Sequence, residues 1–205
     1  MKLKKLSAAC AIASATMFGA TAPVQAQVSG DVIRIGIITD MSSVYADLDG
    51  QGGVEAIKMA IADAGGTVAG KKVEVLFADH QNKADIAAAK AREWFDTQGL
   101  DMLIGGTNSG TALAMAKVAA EKKKPFIVVG AATSALTNDQ CTPYTVHYAY
   151  DTVALARGTG SAVIRQGGKS WYFLTADYAL NHLGRLGAGD RVLVQLKRTD
   201  ADVYE

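Results

Sequence analysis

Cysteine is scarce in this 205-residue sequence, which contains only Cys10 and Cys141. Cys10 lies inside an apolar amino-terminal stretch that is predicted below to be removed from the mature chain. Cys141 would then have no partner, so no internal disulfide can form even in an oxidising compartment. We interpret Cys141 as a small, partly buried apolar residue.

The sequence also lacks the motifs of common enzymes and metal sites. Its histidines, His80, His147 and His182, have no HExxH or similar spacing, so we interpret them as ordinary polar residues. The loop 105–111 has the glycine spacing of a Walker A motif, but Thr and Ala stand where Lys and Ser/Thr are required. No GxGxxG fingerprint and no adjacent nucleophile and base can be assembled. We therefore expect no metal, no cofactor and no enzymatic activity.

An excess of charge of either sign is absent as well. Removal of residues 1–26 takes away three lysines and no acidic residue, which leaves 18 basic and 20 acidic residues and a formal charge near −2. This balance does not favour nucleic acid or an acidic membrane surface as a partner. The lysines at positions 122–124 are interpreted as a solvated helix end that complements the helix dipole.

The first 26 residues have the composition of a secretory signal peptide. Three lysines precede the apolar residues 6–22, and Val24-Gln25-Ala26 supplies small residues for cleavage. No second apolar span of about 20 residues follows, which argues against a membrane anchor. We predict that the protein is exported.

Strand and helix patterns alternate along the rest of the chain. Short β-branched runs predict strands, and apolar residues at helical spacing predict helices. The predicted strands are 32–38, 73–78, 100–104, 126–129 and 170–174, and the predicted helices are 51–64, 86–98, 112–121 and 152–166. Residues 145–150 are predicted to form either a further strand or a crossing segment. Asp85 and Asp151 are predicted to cap two of these helices. The alternation predicts an α/β fold with a doubly wound parallel sheet and right-handed crossovers.

Two loops rich in small and hydroxyl-bearing residues follow the third and fourth strands. They are Gly105–Thr111 and Gly130–Thr137. Ligands of doubly wound sheets lie beyond the carboxyl ends of the strands, so both loops are expected to face one site. Free N–H groups, hydroxyls and a helix dipole at this place suit a small carboxylate. The alternative is that Ser109 or Thr111 only caps the following helix.

Several stretches together carry a family resemblance. They are the signal peptide, IRIGIITDMSSVYADLDGQGGVEAIKMAIADAGG, ADHQNKADIAAAKAREWFDTQG, IGGTNSGTALAMAKVAAEKKKP and SWYFLTADYA. The chain resembles, as far as about Ala179, the substrate-binding proteins of branched-chain amino acid ABC importers, which are type I periplasmic binding proteins. The resemblance implies a periplasmic protein with two hinged α/β lobes, which close on a ligand and present it to a membrane permease.

The resemblance also assigns roles to residues of the two loops. Ser109 matches the serine that binds the ligand carboxylate in this family. Ala131 and Ala132 fall where the next loop offers backbone N–H groups. A threonine hydroxyl also binds there in the amino acid binders, but Thr133 stands one place late, so either Thr133 or Ser134 is expected to supply this contact.

Two tyrosines are further candidates by the same resemblance. Tyr178 matches an aromatic residue that the second lobe brings to the cleft. Tyr45 lies in the first βα loop, which borders the ligand in this family, although Ser43 stands where Gly is commoner. The alternatives are that Tyr178 is a surface residue, that Tyr45 only covers its loop, and that Thr133 or Ser134 caps the next turn.

The resemblance divides the chain into four segments, namely a signal peptide (1–26), a first ligand-binding lobe (27–147), the start of a second lobe (148–180) and a divergent tail (181–205). Family members are usually close to twice this length, so we hypothesise a truncation, from a frameshift near codon 180. A complete chain is expected to be a monomer. A truncated one is expected to associate, because a sheet edge and apolar faces would be uncovered.

The expected function follows from the resemblance and from the two loops. We expect a solute-binding protein, or its amino-terminal remnant, that captures a small carboxylate such as an amino acid or an organic or aromatic acid. Its partner would be the permease of an ABC importer. The alternative is an exported ligand-sensing module of the same fold that is not coupled to transport.

Overall fold

The computed structural model describes Val28 and residues 30–167. Its strands are β1 (Val32–Thr39), β2 (Thr67–Val68), β3 (Lys71–Asp79), β4 (Met102–Gly105), β5 (Phe126–Val128) and β6 (Thr145–His147). Its helices are α1 (Ala46–Asp49), α2 (Gln51–Asp63), α3 (Ala84–Thr97), α4 (Ser109–Lys122) and α5 (Thr152–Arg165), with a 3₁₀ turn at Ser134–Thr137. The predicted signal peptide, the strand at 170–174, Tyr178, His182 and the tail lie outside the described residues.

The six strands form one sheet in the order β2-β3-β1-β4-β5-β6. All neighbours from β3 to β6 are parallel, and only β2 runs antiparallel, against β3 at the edge. The chain winds from β1 to β3 on one side and then returns to β4 on the other. This order confirms the predicted doubly wound parallel sheet. The edge strand β2 was not predicted, because a two-residue strand shows no periodicity.

One face of the sheet packs against α3 and α4. The larger residues of this buried cluster are Ile38, Trp94, Leu100, Leu103, Met115, Phe126, Val128 and Leu136. Alanines at positions 87, 91, 112, 116 and 119 complete the cluster. Their short side chains allow the two helices to lie close to the sheet, so the core is dense without a large aromatic content.

The opposite face packs against α2, which buries Val54 completely. A groove of about 420 Å³ remains beside this helix, and its lining includes Ile57, Ile104, Ile127 and Tyr148. Val146, which pairs with Ile127, is 54% exposed. The outer strands are therefore less covered on this face than on the face of α3 and α4.

Several local predictions can be compared with the structure. Asp151 caps α5, since its Oδ1 accepts the N–H of Ala154 at 2.6 Å, as predicted. The prediction for Asp85 is wrong, because α3 begins earlier, after Lys83, and Asp85 lies inside its first turn. There its negative charge still complements the helix dipole. Cys141 is exposed, so its interpretation as partly buried is also wrong.

The lysines at the end of α4 do more than face the solvent. Lys122 forms an ion pair with Asp96 of α3, and Lys124 Nζ lies 3.6 Å from Asp101 Oδ1. Lys123 adopts a left-handed conformation (φ 54°) and ends the helix. The interpretation as a purely solvated helix end is therefore incomplete. Among residues 30–167, no helix combines the length and the hydropathy needed to cross a membrane.

Candidate functional site

The candidate site lies at the carboxyl ends of β1, β4 and β5. The winding direction of the sheet reverses between β1 and β4, which separates the loops that follow these two strands. A doubly wound sheet forms its ligand crevice at such a switch point. The loops 40–50, 106–108 and 129–133 all leave the sheet at this edge.

The two loops predicted from the sequence are in direct contact. The N–H of Val129 donates to Gly105 O at 3.1 Å, and the N–H of Ala131 donates to Gly106 O at 2.7 Å. Gly105 and Gly106 have φ values of +141° and +83°, which residues with a Cβ atom rarely adopt. The paired glycines therefore turn the chain from β4 toward α4 while exposing carbonyl groups to the second loop.

The amino terminus of α4 is capped by Asn108. Its Oδ1 accepts the N–H of Gly110 at 2.7 Å and of Thr111 at 3.2 Å. The alternative that Ser109 or Thr111 caps this helix is therefore wrong, since the helix starts at Ser109 itself. Asparagine is among the preferred N-cap residues, so its position before the apolar run was a usable signal.

Ser109 is left with unused hydrogen-bonding capacity. Its side chain is 1% exposed, and its Oγ has no hydrogen-bond partner among the described residues. A buried hydroxyl without a partner costs roughly 1–3 kcal/mol, so its persistence calls for an explanation. Asn108 already accepts the N–H groups of Gly110 and Thr111. At this end of α4, Ser109 is therefore the residue whose hydroxyl and backbone N–H can donate to a ligand.

The second loop, residues 130–137, contains both groups that are already hydrogen-bonded and groups that could bind a ligand. Ala131, Ala132, Thr133 and Ser134 are all buried. The N–H of Ala131 is already bonded to Gly106 O, so it is not free for a ligand, which corrects the expectation for this residue. Thr133 Oγ1 accepts the N–H of Ala135 at 3.4 Å and so caps the 3₁₀ turn, as the alternative interpretation had it. Among the described residues, no acceptor is seen for its hydroxyl proton.

Tyr45 lies half-buried at the start of α1, in a loop organised by Asp40. Asp40 Oδ2 accepts the N–H of Tyr45 at 2.9 Å and the hydroxyl of Ser43 at 2.5 Å. Asp40 Oδ1 accepts the N–H of Ser43 at 2.9 Å. Ser43 therefore ties this loop to a buried carboxylate.

Asp40, Asp79 and His80 lie close enough together to suggest a cation site, since one ligand atom from each falls within 4.8 Å of the others. Their lone pairs are already engaged. Asp79 accepts the N–H groups of Met41 and Gln81, and His80 Nδ1 accepts the N–H of Asn82 at 3.0 Å. The imidazole therefore carries its proton on Nε2 and has no free lone pair for a metal. Internal hydrogen bonds hold the two carboxylates and Nδ1 of His80, whereas His80 Nε2 is buried without a partner among the described residues.

The ionisation of the cluster follows from burial and hydrogen bonding. Burial lowers the pKa of His80, and the charges of Asp40, Asp49 and Asp79 only partly oppose this effect. For Asp40, burial alone would raise the pKa, but bonds from Ser43 and from backbone N–H groups outweigh it and lower the pKa. The pKa of Asp79 is lowered in the same way by Met41 and Ser42. The neutral imidazole and the two carboxylates are thus the stable forms near neutral pH.

Asp49 is a site residue that the sequence patterns did not reveal. Its Oδ1 accepts the hydroxyl of Thr39 at 2.5 Å, and its Oδ2 accepts the hydroxyl of Thr107. Thr39 ends β1, and Thr107 belongs to the loop after β4. Asp49 therefore spans the switch-point crevice. The two threonines lie 68 residues apart in the sequence, so no local signal links them.

A comparison with protein families shows which family this fold belongs to. The family described as periplasmic binding protein matches residues 32–192 of the chain. The chain belongs to this family. The match covers all the elements from β1 to α5, and the resemblance inferred from the sequence is confirmed.

Solved periplasmic binding proteins share the lobe. One from Burkholderia mallei is 72% identical, with a TM-score of 0.71 over 73% of this chain and 40% of that chain. A branched-chain amino acid ABC transporter ligand-binding protein from Burkholderia xenovorans is 38% identical, with a TM-score of 0.63 over 66% of this chain and 36% of its own. A solute-binding protein from Rhodopseudomonas palustris, in complex with 3,4-dihydroxybenzoic acid, is 30% identical, with a TM-score of 0.63 over 67% of this chain and 37% of its own.

Curated relatives agree with the structural ones. The Leu/Ile/Val-binding protein homolog 6 of Brucella abortus is 27% identical over 150 residues, which are 72% of this chain and 37% of that protein. The chain thus spans about two fifths of the length of the relatives that it matches. The described part of this periplasmic binding protein family member corresponds to a single lobe with the helix that follows it.

Proposed function

We propose that this chain provides the first ligand-binding lobe of a periplasmic solute-binding protein. It captures a small carboxylate, such as an amino acid or an organic or aromatic acid, and presents it to the permease of an ABC importer. The role is binding without chemistry. The segment 1–26 would direct export, residues 27–147 would form the lobe, and residues 148–180 would begin the second lobe.

The main support for this proposal is the unsatisfied hydroxyl of Ser109. A buried hydroxyl at the first position of a 14-residue helix has no partner among the residues described. A carboxylate would accept the Oγ hydrogen and the backbone N–H of this residue, and the positive end of the helix dipole would stabilise its charge. Because Ser109 is 1% exposed, the ligand must enter while the surrounding loops are apart.

The relatives support a small carboxylate as the ligand class. Solved relatives from Rhodopseudomonas palustris contain 3,4-dihydroxybenzoic acid, benzoate and 4-hydroxybenzoate. Others are branched-chain amino acid transport proteins. A carboxylate is the group that these acids and amino acids share. The ligand of this chain is therefore proposed to be an aromatic or an aliphatic carboxylate.

The second loop and the tyrosines complete the proposed site. Thr133 can donate its hydroxyl proton while its oxygen caps the 3₁₀ turn, and Ser134 follows it. Ala132 would supply a backbone N–H, whereas Ala131 would shape the loop through its bond to Gly106. Tyr45 would border the ligand from the first lobe and Tyr178 from the second.

A titration of the ¹⁵N-labelled full chain by NMR tests the proposal, with 4-hydroxybenzoate and leucine as probes. We expect at least one probe to shift the amide resonances of Ser109 and of the second loop. Ser109→Ala is expected to weaken this binding about 10- to 100-fold, because it removes a hydrogen bond to a charged group. Ser161→Ala, an exposed serine on α5, serves as the control. Unchanged binding by Ser109→Ala would refute the assignment.

Delivery to a permease needs a separate test. Deletion of the gene should abolish uptake of the radiolabelled probe by the parent cell. Intact uptake combined with a lost cellular response to the same compound would favour the ligand-sensing alternative.

A further inference from the structure

The geometry points to Asp49 as a positioning residue for the ligand loop, acting through Thr107. This inference rests on the proposed function, because it concerns the affinity of the site at Ser109. It adds a residue whose side chain is not expected to touch the ligand.

The carboxylate of Asp49 lies between two threonine hydroxyls. This residue ends α1, in the loop that follows β1, and it is half-buried. Each of its oxygens accepts one hydroxyl, from Thr39 on one side and from Thr107 on the other. Each oxygen thus holds one threonine, and the carboxylate links the two side chains to each other.

Thr107 lies in the loop that leads to the proposed ligand-binding serine. It lies two residues before Ser109 and directly before the cap residue Asn108. The backbone before it consists of Gly105 and Gly106, which restrict the chain least of all residues. A loop that starts with two glycines needs an external contact to define its geometry, and Asp49 supplies one.

Thr107 also connects Asp49 to the second loop. A Cβ atom on Gly130 would lie only 3.2 Å from Cα of Thr107, so the backbone of the second loop runs against this residue. Displacement of Thr107 would therefore disturb both loops of the candidate site. Preorganised binding groups raise affinity by reducing the ordering that must accompany binding. Loss of the Asp49 contact should thus weaken binding without removing any ligand contact.

The experiment measures the dissociation constant of 4-hydroxybenzoate, or of leucine if that is the probe that binds, by NMR titration of the full chain. Asp49→Ala and Thr107→Val should each raise the dissociation constant roughly 3- to 10-fold. The double variant should bind about as weakly as either single variant, because both changes remove the same contact. Asp49→Asn should restore affinity to within about 2-fold, because its amide can pair with both hydroxyls.

Two matched variants separate positioning from general stability. Leu100→Ala removes a fully buried side chain just before the amino end of β4, at the sheet edge opposite the site, and is expected to lower the melting temperature while leaving affinity within about 2-fold. Asp47→Ala changes an exposed acid in the same helix and should alter neither property. If Asp49→Ala does not fold, Thr107→Val still tests the contact.

The outcomes distinguish the inference from the proposed function. If Ser109→Ala weakens binding but Asp49→Ala and Thr107→Val bind normally, the inference is wrong and the proposed function stands. If Leu100→Ala weakens binding as much as Thr107→Val, Asp49 acts through overall stability and the inference is also wrong. If neither probe binds the unmodified chain, or if Ser109→Ala has no effect, both fail.

Discussion

Gly105 lies so close to Ile38 that a Cβ atom at position 105 would approach the Ile38 carbonyl oxygen to 2.3 Å. The contact joins β4 to β1 at the switch point, where their register pairs these two residues. The φ of Gly105 is +141°, which is unfavourable for any residue with a side chain. The candidate site thus borders a position of β4 at which both the backbone conformation and the available space require glycine.

We expect Gly105→Ala to destabilise the fold by more than about 2 kcal/mol, because clash and backbone strain add at one position. Chemical unfolding measures the change. Gly158→Ala is the control: it lies within α5 with no heavy atom within 4 Å of the added Cβ, so it should be neutral or stabilise by up to about 1 kcal/mol. Equal stability of both variants would show that the strands can separate without cost.

The cap at Asn108 leads to a second prediction. Asn108→Ala removes the acceptor for two N–H groups of α4 and should lower the free energy of unfolding by about 1 kcal/mol. Asn108→Asp keeps the acceptor and adds a charge that complements the helix dipole, so it should retain or raise stability. Thermal unfolding of the three proteins decides the matter. A cap that contributes nothing would leave all three melting temperatures alike.

Ser109 leads to a prediction in which stability and binding change in opposite directions. Its Oγ is buried without a partner among the residues described, so Ser109→Ala removes an unsatisfied hydroxyl. The variant should be as stable as the parent or more stable, by up to about 1 kcal/mol, although it loses ligand affinity. Unfolding in denaturant without ligand provides the measurement. A marked loss of stability would mean that the hydroxyl has a structural role instead.

The pH dependence of stability provides a fourth prediction. Burial lowers the pKa of His80 below its usual 6.5, so the unfolded chain binds a proton at a higher pH than the folded one. Stability should therefore fall as the pH decreases from 6.5 toward the lowered value. Asp40 and Asp79 also have a lowered pKa, compared with their usual 3.8. Stability should thus fall again as the pH decreases below about 4.

Denaturant unfolding at pH 7.5, 5.5 and 3.5 checks both steps. His80→Gln should remove most of the difference between pH 7.5 and 5.5, because it no longer titrates, and should leave the loss at pH 3.5. A parent protein that is equally stable at pH 7.5 and 5.5 would contradict the first step. A variant that keeps the same difference would assign it to another group.

The sequence by itself determined the class of fold and the edge of the sheet at which the candidate site is proposed. Hydrophobic periodicity is local, and each strand of the parallel sheet is a short apolar run followed by a loop and a helix. Because β4 and β5 are parallel neighbours, the loops that follow them lie at the same edge of the sheet. The sequence pattern therefore singles out Ser109 and the loop 130–137 as candidates.

Only the tertiary structure decided which polar groups at this edge of the sheet are already hydrogen-bonded and which can still bind a ligand. The N–H of Ala131 is bonded to Gly106, Thr133 caps its own turn, and the hydroxyl of Ser109 remains without a partner among the described residues. The bridge from Thr39 through Asp49 to Thr107 joins residues that are far apart in the chain. Hydrogen bonds depend on distances of a few tenths of an ångström between atoms, and only the folded chain defines these distances.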